Sequence, residues 1–123
     1  MDHLEPSPLK VTLVDHRRGH AVIAVEGEID FTSAPALRQQ VSQLLGDRHR
    51  QLILDLAEVQ RCDSAGLACL VAMFRQLRED GGSLHLVGVR PTVHRLLEIT
   101  SLHTLFPIHR TAADVPASAP DLG

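Results

Sequence analysis

The 123-residue chain is 44% hydrophobic and 22% charged, with a formal charge of -3, a balance that fits one globular domain and leaves no room for a second. Lys and Arg number 12 against 15 Asp and Glu, and Trp and Tyr are absent, so the chain offers neither the basic stripe nor the aromatic platforms that nucleic acid binding needs. Cys62 and Cys69 are too few for a disulfide framework, no run approaches the ~20 apolar residues that span a bilayer, and the N-terminus lacks a basic segment followed by an apolar one. The chain is therefore expected to be cytoplasmic, with reduced thiols, no nucleic-acid partner and no membrane insertion.

Residues 1–8, with Pro6 and Pro8, read as a flexible start. Leu9, Val11 and Leu13 then alternate with Lys10, Thr12 and Val14, the period-two signal of a half-buried strand. Asp15 to Gly19 reads as a turn, and His20 to Val25 as a second strand that completes an antiparallel hairpin and ends at Glu26-Gly27-Glu28-Ile29-Asp30. Thr32 or Ser33 can cap a helix with Pro35 in its first turn and Leu37, Val41, Leu44 and Leu45 on one face; Gly46-Asp47 stops it. Leu52 to Leu56 is short and apolar, as a buried strand should be. Ser64 to Glu79 reads as a helix with Leu67, Leu70, Val71, Phe74 and Leu77 at core spacing, closed by Asp80-Gly81-Gly82. Leu84 to Val89 is another strand, Pro91 opens a helix that turns Val93, Leu96 and Leu97 inward, and Leu105 to Ile108 is a last short strand. From Thr111 the composition predicts a short or frayed tail over 111–123 behind a domain at 9–110. Strands joined through helices run parallel. The order thus predicts an α/β fold: a mixed sheet of four to five strands, an N-terminal antiparallel hairpin followed by parallel strands, with three to four helices packed mainly on one face.

The stretch from Leu54 to Leu67 takes a buried strand through a turn to a helix N-terminus and puts a hydroxyl there, on Ser64. Free N–H groups and the positive end of the helix dipole favour an anion at that point, so a phosphate on Ser64 would be accommodated without unfolding the helix. Asp63 beside it, with Asp30 from the other loop, would make the modified surface strongly acidic and deprive a docked partner of complementarity. Taken on the tripeptide alone, the plainer account is that Asp63 or Ser64 only caps the helix. Opposite the core stripe, Ala65, Cys69, Ala72 and Gln76 stand where a solvated face would carry Lys and Glu. A partner surface or burial under another element of the fold accounts equally well for them.

These residues resemble the STAS domain, named for sulphate transporters and anti-sigma factor antagonists, and in particular its single-domain antagonists. The likeness covers residues 9–108: Gly27-Glu28-Ile29-Asp30 after the second strand, Leu54-Asp55-Leu56 leading into Asp63-Ser64-Ala65-Gly66-Leu67, and Leu96-Leu97-Glu98-Ile99-Thr100-Ser101-Leu102 running into Leu105-Phe106-Pro107-Ile108. The resemblance implies an anti-anti-sigma factor. Its unphosphorylated form binds an anti-sigma factor that is also a serine kinase, releases the sigma factor, and is switched off when that kinase phosphorylates Ser64, the serine directly after Asp in the Asp-Ser-x-Gly turn. A metal-dependent serine phosphatase then restores binding, and ATP with its magnesium belongs to the kinase. The partner surface implied around Ser64 comprises Asp30, Thr32, Ser33, Asp63, Ala65, Gly66, Cys69 and Ala72. Ala65 departs from the Ser or Thr common at its position, and the terminal helix is cut short by Pro116.

Three other accounts compete. A serine hydrolase needs small residues on both sides of its elbow serine and a histidine base, whereas Cys62 stands two before Ser64 and no motif supplies the base; no enzyme, no catalytic residue and no cofactor are expected. Eight histidines are scattered without ligand spacing, so no metal is expected. A non-switching STAS adaptor or scaffold, such as a subunit of a lipid-transport ATPase complex, keeps the fold and changes the task. The presence or absence of a phosphate on Ser64 separates it from the switch.

Overall fold

The computed structural model describes residues 9–17, 19–47 and 49–117. The expected flexible start at 1–8 and residues 118–123 of the expected tail lie outside the described residues. Strand β1 (Lys10–Arg17) pairs antiparallel with β2 (His20–Ile29), and helix α1 (Ala34–Leu45) leads to β3 (Gln51–Cys62). Helix α2 (Ser64–Glu79), β4 (Ser83–Val87), α3 (Pro91–Ile99) and the two-residue β5 (Ile108–His109) follow, with single 3-10 turns at Leu102–Thr104 and Ala112–Asp114. The sheet runs β1-β2-β3-β4-β5, and every pair after the first is parallel. The predicted mixed sheet is the one observed, with three α-helices.

The period-two pattern of the strands divides the molecule into two layers of unequal weight. Ala21, Ile23 and Val25 of β2, Leu52, Leu54 and Leu56 of β3, and Leu84 and Leu86 of β4 face the helices and join Leu37, Val41, Leu70, Phe74, Val93 and Leu97 in the main core. Many of these side chains are fully buried, Leu54, Leu56, Leu70 and Leu86 among them, and truncating one to Ala costs about 2–5 kcal/mol. The opposite face carries a small second cluster of Val22, Ile53 and Val87. Val115 covers it, held by a 3-10 turn whose Thr111 and Asp114 cap each other. In the described part of the expected short or frayed tail, residues 111–117, one apolar side chain, 6% exposed, packs against the sheet although the composition promised little burial.

Several element boundaries differ from the pattern-based expectation: β1 runs on to Arg17 through the first part of the expected turn at Asp15–Gly19, paired with β2 as far as Arg17↔His20, and β4 ends at Val87 rather than Val89. Strand β2 runs on to Ile29 and β3 to Cys62, beyond their apolar stretches, because each supplies the other's hydrogen bonds up to Glu28↔Arg61 and Ile29↔Cys62. The last strand is Ile108–His109 and not Leu105–Ile108, since Phe106, 3% exposed, turns into the core against Phe74, with Leu105 packed beside it. No helix among the described residues is long and apolar enough to cross a membrane.

Candidate functional site

Because β2 and β3 are parallel, the loops that follow them, Asp30–Ser33 and Asp63, emerge at the same edge of the sheet. The two loops are then joined by hydrogen bonds. The Asp63 N–H donates to the Ile29 carbonyl (3.1 Å). The Asp63 carboxylate accepts the Gly66 N–H on Oδ1 (2.8 Å) and, from the other loop, the Phe31 N–H on Oδ2 (3.2 Å). Asp63 is thus the N-cap of α2 in extended backbone conformation, satisfying one of the orphan donors of the first turn.

This settles which of the two adjacent residues is the cap. Ser64 is the first residue of α2, exposed, and no hydrogen bond engages its hydroxyl among the described residues. Gly66 explains how the helix start comes so close to the sheet. A Cβ there would lie 2.2 Å from the Ile29 carbonyl oxygen and 2.8 Å from Cys62 Sγ, so any side chain would push α2 off the end of β2.

The other loop is braced in the same way. Asp30 Oδ1 accepts the Ser33 N–H (2.9 Å), Ser33 Oγ accepts the Asp30 N–H (2.9 Å), and the Ser33 hydroxyl donates to the Glu28 carbonyl (2.8 Å). The Ser33 amide, first among several donors, holds the Asp30 carboxyl below its ordinary range. Ser33 occupies the N-cap position of α1 but makes no cap bond to that helix. The expected capping by Thr32 or Ser33 is therefore replaced by an Asp30–Ser33 exchange, with Thr32 exposed between them.

The expected partner face on α2 is redistributed. Ala65 and Ala72 are half-buried, whereas Cys69 is 7% exposed. Cys69 packs under α1, its Sγ 3.6 Å from the Ala34 carbonyl oxygen. Of the two accounts left open for this residue, burial under another element is the one observed at Cys69, and Gly66 is buried as well; both support the surface from beneath. Ser64 and Ala68 are the exposed positions of the first turns, Ala72 is half-buried, Val71 packs against the core, and the first charged residue of the helix is Arg75. Burial raises the Cys69 thiol pKa, and burial followed by the charges of Asp63, Cys69 and Asp30 pushes that of Cys62 up to about 12. Neither thiol is a nucleophile at neutral pH.

Pattern-based reading missed Phe31. It lies between Asp30 and Thr32 with 80% of its surface exposed, and the signal was available: it is a large apolar side chain in a loop, outside any strand or helix periodicity. A cleft of about 700 Å³ lies between the C-terminal halves of α1 and α2, lined by Arg38, Leu45, Arg50, Met73 and Asp80. It is at the far end of both helices from Ser64.

The braced edge presents the Ser64 hydroxyl to solvent. Comparison with known proteins supplies the family. The sequence model of the STAS domain matches residues 12–115, and the chain belongs to that family. It is 35% identical to the anti-sigma-B factor antagonist of Bacillus subtilis over 86 residues, which cover 70% of this chain and 78% of the relative. It is 29% identical to the anti-sigma F factor antagonist of Paenibacillus polymyxa over 97 residues, 78% of this chain and 83% of the relative. Among solved structures, an anti-sigma factor antagonist from Mycobacterium paratuberculosis superposes with a TM-score of 0.74 at 33% identity, covering 86% of this chain and 89% of its own.

Proposed function

We propose that this chain is an anti-sigma factor antagonist switched at Ser64. In its unmodified form it binds an anti-sigma factor that is also a serine kinase, and so frees the sigma factor. Phosphorylation of Ser64 by that kinase ends the binding, and a serine phosphatase restores it. The observation that carries this function is the hydroxyl of Ser64, exposed on the first residue of α2 and left unengaged because Asp63 does the capping.

The chemistry follows from the edge. A phosphate on Ser64 adds about -1.5 to -2 charges next to the free N–H groups of a helix start, which tolerate it, and next to Asp63 and Asp30, which do not neutralise it. The folded domain keeps its helix while the surface changes sign in its electrostatic match to a partner. Thr32, Ala65 and Ala72 lie around that point for contact; Ser33, Gly66 and Cys69 hold it in shape. The chain itself needs no cofactor, since ATP and magnesium are used by the kinase.

The test is phosphate transfer. Incubated with the cognate anti-sigma factor kinase and ATP, the wild-type chain should gain one phosphate by intact-mass measurement, and Ser64→Ala none. If both proteins stay unmodified while the wild type still binds the anti-sigma factor, the domain is an adaptor without a switch.

A further inference from the structure

Among the described residues three large hydrophobic side chains are exposed: Val14 at 54%, Phe31 at 80% and Ile99 at 70%. Val14 sits at the irregularity of edge strand β1, and Ile99 ends α3, a helix that runs back from the strand ends. Phe31 is the one of the three in the loop beside Ser64, and its backbone is fixed. Its N–H is held by Asp63 Oδ2, and the Asp30–Ser33 exchange closes the short loop that contains it. An aromatic ring projecting from a braced backbone loses little freedom on docking, and aromatic side chains filling pockets dominate protein interfaces. On α2, the exposed Ala68 and the half-buried Ala72 carry no charge, and none comes before Arg75.

We propose that Phe31 is the apolar anchor that the unmodified chain inserts into a hydrophobic pocket of the anti-sigma factor, with Asp63 as its positioning residue. Asp63 has two N–H partners, one in the helix and one in the loop, and it precedes Ser64 in the chain. A phosphate on Ser64 sets a second negative group against that carboxylate and weakens its grip on the Phe31 backbone. Modification therefore acts on the anchor as well as on the partner's charge. The inference rests on the switch at Ser64 and names the contact that the switch controls.

The test uses the missing chromophores. With no Trp and no Tyr in the chain, Phe31→Trp places a single indole at the anchor. Titrated with the purified anti-sigma factor kinase in its ADP-bound form, the indole's emission should move to shorter wavelength as it leaves water. Phe31→Ala should raise the dissociation constant about thirty-fold or more, with the thermal midpoint of the free chain unchanged because the ring is exposed there. Asp63→Asn should weaken binding when Phe31 is present and have little further effect in the Phe31→Ala background. Wild-type affinity in Phe31→Ala overturns the anchor and leaves the switch standing. Full additivity of Asp63→Asn and Phe31→Ala overturns the positioning role alone. A wild-type chain that neither binds the kinase nor is phosphorylated by it overturns the switch, and this inference with it.

Discussion

Cys69 and Ala68 are neighbours on α2 with opposite surroundings. The Cys69 side chain points under α1 at 7% exposure, while Ala68 is exposed. A carboxylate at 69 would be buried against the Ala34 carbonyl oxygen, and burying a charge under α1 costs several kcal/mol even with the Arg38 guanidinium nearby. Cys69→Glu is therefore expected to unfold or severely destabilise the domain in urea titration. Ala68→Glu should fold with a midpoint close to wild type and should weaken binding of the anti-sigma factor, because it puts a negative charge one turn from Ser64. If Cys69→Glu folds normally, α1 does not cover that position.

At the scale of elements, the face of the sheet away from the helices holds an unusual group. His85 Nδ1 and His109 Nε2 are 3.0 Å apart, and the His20 ring meets His85 edge-on at a centroid distance of 5.5 Å. Burial first, then His109 and His20, push the His85 pKa down to about 4 from 6.5. The folded chain thus binds fewer protons than the unfolded one between those values. Stability from this group is present above pH 6.5 and is lost as pH falls towards 4. The thermal midpoint should be lower at about pH 5.5 than at about pH 7.5. His85→Gln should flatten that slope; an unchanged slope would assign it to other groups.

The same elements mark the division between what periodicity reveals and what it hides. Apolar spacing identified every helix, and the start of α2 at Ser64 was legible from Asp63 and Gly66. The ends of β2 and β3 were not, because Glu28 and Arg61 are held in strands by each other and not by their own composition. Val115 was invisible for a related reason: a single apolar residue has no period, and its partners Val22, Ile53 and Val87 come from three different strands. At the site, the spacing led to Ser64 and Asp63, whereas the Asp63 contact to Phe31 spans 32 positions and leaves no local trace.

At the scale of the whole molecule, the proposed phosphorylation of Ser64 would change the formal charge from -3 to about -5 without a buried group being touched. Such a phosphate would face solvent at a helix start, where an anion is favourable. Backbone amide spectra of the modified and unmodified chains should therefore superpose over β4, α3 and the strand β1, with shifts confined to the neighbourhood of residues 28–33 and 62–68. Changes spread through the main core would mean that the modification remodels the fold, and surface charge would no longer account for the switch.

Ser64 follows β3 with only Asp63 between them, and β3 is the middle strand of the sheet, hydrogen-bonded on both sides. Drawing that serine into a cleft as an extended peptide would strip β3 from β2 at Ile29↔Cys62 and unseat Gly66 from the Ile29 carbonyl. An enzyme that modifies it must instead accept an intact domain edge as its substrate, so that recognition is of a folded shape and a short peptide copied from around Ser64 lacks most of what is recognised.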